Sequence, residues 1–95
     1  MKRNFSVGIE LPPNDYTAFG IYVPAFDLPG YGCCSASNEQ SLIPEIALDA
    51  ILSVVQVMVA DGYDLLNIED AGIELYSSSQ DYEHCECWLT IEADL

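Results

Sequence analysis

The chain has 95 residues, the size of one domain, and 51% of them are hydrophobic, enough to build a packed core. Sixteen Asp and Glu stand against two Lys and Arg, for a formal charge of −14, and both cations, Lys2 and Arg3, lie at the start of the chain. This balance excludes ordinary nucleic-acid binding, which needs cations against phosphate, argues against docking on anionic lipid, and favours a cationic partner.

Arg3 to Leu11 alternates cleanly, with Phe5, Val7, Ile9 and Leu11 on one face and Asn4, Ser6, Gly8 and Glu10 on the other. Period two over this length predicts a half-buried strand. Pro12-Pro13-Asn14-Asp15 reads as a turn, and Tyr16 to Phe26 as a second strand with Phe19, Ile21 and Val23 facing inward, so the pair forms an antiparallel hairpin. After the turn Asp27-Leu28-Pro29-Gly30, the segment Tyr31 to Ser37 predicts a short third strand of small residues over which another element packs closely.

The period then changes to that of a helix. Ser41 is placed as its N-cap, Pro44 and Glu45 in its first turn, and Gly62 at the left-handed position that ends it after Ala60. Glu45, Asp49, Ser53 and Gln56 form one narrow polar stripe, and the other side chains from Ile46 to Val59 are apolar. A helix lying on one sheet needs only part of its circumference apolar, so the surplus predicts cover by a second chain or by segment 64–83. The apolar run Ile46 to Ala60 is expected to be too short to span a bilayer. Asp64 to Glu83 reads as irregular and acidic, with Ile73, Leu75 and Tyr76 as a short strand or edge segment and Ser77-Ser78-Ser79-Gln80 as a loose loop. Cys85 to Leu95 closes the fold as a strand, with Cys85, Cys87, Leu89 and Ile91 on one face and Trp88 and Thr90 on the other. The expected architecture is α+β: a two-layer sandwich of order β-β-β-α-β, an antiparallel hairpin sheet covered by one helix, in a single domain over residues 1–95.

Val23-Pro24-Ala25-Phe26-Asp27-Leu28-Pro29-Gly30 after a strand–turn–strand, then a small-residue strand, then a helix with Ala47 and Ala50 ending at Gly62, resembles the HicB-like antitoxin domain, whose PDLPG-type turn stands in the same place. Trp88 to Asp94 is similar to that family's last strand. The resemblance covers nearly the whole chain, and Asp27-Leu28-Pro29-Gly30 is its sharpest word. It implies a HicB-like, degenerate RNase H-like fold without nuclease activity that sequesters a small basic RNA-cleaving toxin of the HicA type. Two departures stand out: the C-terminal DNA-binding module usual in such antitoxins is not found up to Leu95, and Asn38 to Glu45 lacks the family's acidic-alanine run. A stand-alone relative, phage-encoded or on a mobile element, fits both.

The remaining constellations carry little chemistry. Glu10, Asp49, Glu92 and Asp94 are the carboxylates available to a two-metal nuclease, but none takes the mid-strand position, where Ser6, Val7 and Gly8 stand. Cys33-Cys34 and His84-Cys85-Glu86-Cys87 lack zinc-knuckle spacing, and the resemblance puts their strands at opposite sheet edges, roughly 14 Å apart at about 4.8 Å per strand step. Buried reduced thiols are the expectation. No Ser-His-Asp or Cys-His arrangement is readable around His84, while Trp88 and the six tyrosines are candidate interface anchors.

The sequence therefore predicts a cytoplasmic protein with no secretion signal, no catalytic residues, no metal and no cofactor. Its expected partner is a small basic toxin or another cationic protein, not nucleic acid and not a membrane. Asp64, Glu69, Asp70 and Glu74 are the expected steering residues for that partner. Leu48, Leu52, Val55 and Val59 are the expected interface of a homodimer or higher oligomer. The alternative is an acidic inhibitor that mimics nucleic-acid charge to block a nucleic-acid-binding enzyme.

Overall fold

Alternation at the start of the chain becomes β1, Lys2–Glu10, in a computed structural model that describes residues 1–95. Phe5, Val7 and Ile9 are buried on its inner face as the period predicts. The partner strands are β2, Phe19–Tyr22, β3, Cys34–Ser37, and β4, Cys87–Asp94. All pair antiparallel in the order β3-β2-β1-β4, so the small-residue strand and the last strand lie at opposite edges.

β2 is shorter than the alternation predicts. Pro24 has no N–H to continue a ladder, and Pro24–Phe26 closes into a single 3₁₀ turn, all three residues buried. That turn places the Phe26 ring 4.9 Å from Phe5 in the centre of the core. Because β2 pairs only with Gly8 to Glu10, the first half of β1 has a strand neighbour on its β4 side alone.

The helix α1 spans Ile43–Ala60. Its start differs from the expectation: Gln40–Leu42 forms a 3₁₀ turn, Ser41 caps nothing, and Leu42 holds the N-cap position without a side-chain hydrogen bond. Its end follows the sequence. Tyr63 N–H donates to Met58 O at 2.9 Å and Gly62 N–H to Val59 O at 3.0 Å, with Gly62 at φ +81°. This is the paired six-to-one and five-to-two closure that a left-handed glycine permits.

Ile43, Ala47, Ile51, Val55 and Met58 make the inner stripe of α1 and join Phe5, Val7, Ile9, Ile21, Val23, Phe26, Ile68 and Ala93 in one core. Each large aliphatic or aromatic side chain removed from water here contributes about 1.5–3 kcal/mol. An 18-residue window within Gln40–Ala60 has a mean hydropathy of 1.9, so by length and composition only this longer helical stretch could cross a bilayer, a test that a core helix also passes. In this fold its inner stripe is the core of the sandwich.

The segment after α1 departs most from the sequence reading. Leu65–Asn67 is a 3₁₀ turn that meets the end of α1, and the Arg3 guanidinium donates to the carbonyls of Leu65 and Ile68. Beyond Ile68 the chain crosses to the other face of the sheet. There Ile73–Ser77 is a short helix, α2, not a strand, because Gly72 turns at φ +97° and Ala71 N–H donates to the Tyr76 hydroxyl. The serine run is tied down rather than loose: Ser78 Oγ donates to Glu74 O, and Ser79 Oγ accepts from Asp81 N–H to start the 3₁₀ turn Gln80–Tyr82. The sheet thus has α1 on one face and segment 70–85 on the other, a partial third layer that the two-layer expectation lacks.

Candidate functional site

Strand periodicity assigns Ser6, Gly8, Tyr22, Cys34 and Trp88 to the face away from α1. Asp70 fastens its cover. One carboxylate oxygen accepts from Ser6 N–H at 2.8 Å, and the other accepts from Ser6 Oγ at 2.7 Å and Gly72 N–H at 3.1 Å. The side chain takes the place of the strand that β2 is too short to supply. Gly8 leaves room for the next layer: a Cβ there would lie 2.8 Å from Cys85 Sγ and 2.9 Å from Trp88 Cη2. Cys85 therefore sits on the Trp88 side of the sheet and outside β4, opposite Cys87, which corrects the expectation that the two share a face.

An aromatic patch spreads over this cover. Tyr76 stacks on Trp88 with ring centroids 6.2 Å apart, Tyr82 meets Trp88 edge-on at 6.1 Å, and His84 meets Tyr22 edge-on at 4.7 Å. Tyr82 donates its hydroxyl to Asp27 Oδ2 at 3.1 Å, and Tyr22 donates to Glu10 Oε1 at 3.1 Å. Burial, then the neighbouring Asp27 carboxylate, pushes the Tyr82 hydroxyl up to about 12. Burial pushes the Cys33 thiol to about 12, and burial with Glu10 pushes Cys85 to about 11, so both stay protonated at neutral pH.

Two hollows flank the β3 edge. The larger, about 620 Å³, runs between Gly30 to Ser35 and one flank of α1, with Ile46, Ala50, Val54 and Val57 as its apolar wall and Asp49 on its rim. The smaller, about 210 Å³, opens by the Tyr22 side of the sheet among Val23, Asp27, Cys34 and Tyr82. Both are lined by Gly32, Cys33 and Cys34.

The expected site residues scatter. Asp64 is exposed and caps the turn at Leu65 by accepting from Leu66 N–H at 3.0 Å. Glu69 and Glu74 are exposed, while Asp70 is engaged inside the fold as described. Val55, 8% exposed, faces the domain's own core, and Leu48 packs half-buried against it. Leu52 and Val59 are exposed at 36% and 56%. Glu10, Asp49, Glu92 and Asp94 lie apart: Glu10 meets Tyr22, Asp49 is on the outer face of α1, Glu92 is 3.8 Å from Lys2 Nζ, and Asp94 binds the N-terminal amine at 2.9 Å. No three His, Cys, Asp or Glu side chains come together in a way that would hold a metal ion. The sequence reading missed the Asp27–Tyr82 pair and the two hollows. The signals available were the glycine in the middle of β1 and the aromatic residues recurring at 76, 82 and 88.

A four-stranded antiparallel sheet with one main helix and a covered reverse face defines a small α+β domain of the kind seen at the N-terminus of HicB antitoxins. The N-terminal domain of Burkholderia pseudomallei antitoxin HicB matches with a TM-score of 0.72 at 19% identity, over 98% of this chain and 100% of that one. A chain of a HicA3 and HicB3 toxin–antitoxin complex matches at 0.73 and 18% identity, again over 98% and 100%. The Burkholderia pseudomallei antitoxin HicB matches at 0.73 and 20% identity, and this chain spans 64% of it. No protein-family model and no curated protein matches the chain at the sequence level. At such identities the likeness establishes the fold.

Proposed function

We propose that the chain is an antitoxin: a cytoplasmic, non-enzymatic protein that binds a small basic RNA-cleaving toxin of the HicA type and holds it inactive. The observation that carries this reading is the joint one of fold and charge. The fold is that of HicB N-terminal domains, one structural match comes from a HicA3 and HicB3 complex, and the chain carries −14. Of its two cationic side chains, Arg3 is engaged with main-chain carbonyls and the exposed Lys2 lies 3.8 Å from Glu92, so the surface charge is overwhelmingly negative. Such a field accelerates encounter with a cationic protein and disfavours a polyanion. Asp64, Glu69 and Glu74 are exposed and supply part of the steering. Leu48, Leu52 and Val59, on the α1 flank away from the larger hollow, supply a contact with a second copy; light scattering should give a dimer that Leu52→Glu turns into a monomer.

Co-expression tests the main reading. A HicA-type toxin that arrests growth alone should be neutralised by this chain and co-purify with it; continued arrest with both proteins soluble and unassociated overturns the proposal.

A further inference from the structure

The two sheet edges differ in a way the fold does not require. β4 and the residue before it carry Glu86, Glu92 and Asp94, charges that discourage a further strand from pairing there. β3 reads Cys34-Ser35-Ala36-Ser37, with no charge, no proline and small side chains, and nothing pairs with its outer side. An unprotected edge is a template for strand addition. The two hollows sit by this same edge and are divided by the alternation of the strand. Ser35 and Ser37 lie on the α1 side, where the 620 Å³ hollow has its apolar wall, and Cys34 and Ala36 on the Tyr22 side, where the 210 Å³ notch opens beside the Asp27 carboxylate. The notch is below the size of a metabolite site and suits one side chain. Its one charged group is Asp27, framed by two tyrosine rings, which together favour a guanidinium by ion pairing and by cation–π attraction.

We propose that β3 is a docking edge for an extended segment of a partner protein in which apolar and arginine residues alternate. The segment adds a fifth strand beside Cys34–Ser37. Its apolar side chains enter the hollow against Ile46, Ala50 and Val57, and an arginine on the opposite face enters the notch at Asp27 and Tyr82. Charge complementarity selects this occupant: Asp27 and Asp49 are the charges bordering the two hollows, and no cationic side chain lines either. The inference rests on the reading of a cationic partner and specifies how such a partner is gripped.

The probe is an acetylated, amidated octapeptide alternating valine and arginine, titrated into the intact 95-residue chain and followed by amide NMR and calorimetry. The expected result is saturable binding, with shifts concentrated at residues 27–37 and along 46–57 and slowed amide exchange in β3. A counterpart with citrulline in place of arginine keeps shape and loses charge, and it should bind about tenfold more weakly or worse. Asp27→Asn and Val57→Glu should each weaken binding by a similar factor, Val57 being 54% exposed and so free to change without unfolding the domain. Leu75→Glu, at a residue 63% exposed on α2 that lines neither hollow, should leave binding unchanged. No binding, shifts spread evenly over the acidic surface, or full affinity in Asp27→Asn and Val57→Glu overturns the proposal. The co-expression experiment separates it from the antitoxin reading. A toxin neutralised as well by both variants keeps that reading and removes the edge site. A peptide bound as described by a chain that neutralises no toxin does the reverse.

Discussion

Facing α1, the sheet presents Phe5, Val7, Ile9, Ile21 and Ala93, all buried among aliphatic neighbours; on its reverse, Ser6, Gly8, Tyr22 and Trp88 meet a carboxylate, a thiol and aromatic rings. The first face is held by non-directional burial and the second by a few specific contacts. The two faces are therefore vulnerable in different ways. Losing volume should hurt the α1 face most, and losing one polar clamp or one glycine should loosen the reverse face while the core survives.

The largest effect is expected from Phe5→Ala, which removes a fully buried ring packed on Phe26. It should cost about 3–5 kcal/mol in urea unfolding, enough to unfold a marginal domain. Asp70→Ala comes next, at about 2–3 kcal/mol, because Ser6 is buried and its N–H and hydroxyl lose a charged acceptor. Hydrogen exchange should then speed up in segment 70–85 well before it does in α1. Were exchange to rise equally everywhere, the two faces would form a single cooperative unit, contrary to the comparison.

Gly8→Ala should cost about 1–3 kcal/mol by pressing on Cys85 and Trp88. Much of that loss should return in the double variant Gly8→Ala with Cys85→Ala, and simple additivity would mean the two residues do not touch.

Much of the α1 face was legible because burial writes a period into the chain. Phe5, Val7 and Ile9 at period two and the polar stripe Glu45, Asp49, Ser53, Gln56 at helical spacing predicted the strand, the helix and which sides turn inward, and Gly62 marked the stop. The reverse face was not legible because its contacts are long-range and single. Nothing near Asp70 in sequence announces Ser6, 64 positions away, and nothing near Tyr82 announces Asp27, 55 away. Ile73, Leu75 and Tyr76 look like a strand by composition, yet they lack a partner strand and close on themselves as α2. The candidate docking edge was not legible for a different reason: it is marked only by the charge, proline and bulk that Cys34 to Ser37 lack.

The smallest effect separates the thiols. Cys33 and Cys85, held protonated by burial at about 12 and about 11 against the ordinary 9.0, bind protons more tightly when folded. Their contribution is complete below about pH 9, where both states keep the proton. It is lost as pH rises from about 9 up through the folded values, because over that window the unfolded chain has released the proton and the folded chain still holds it. The urea midpoint should fall progressively above pH 9, and Cys33→Ser should flatten part of that fall. At pH 8, a disulfide-exchange reagent should modify the exposed Cys34 and Cys87 quickly and Cys33 and Cys85 slowly.

Whether the chain grips a HicA-type toxin is decided by calorimetric titration of the purified chain with an active-site variant of such a toxin at two salt concentrations. Tight stoichiometric binding that weakens as salt rises is the expected result, together with loss of RNA cleavage when the chain is added to the active toxin. Absence of heat with cleavage undiminished, at concentrations where both proteins stay folded and soluble, would contradict it.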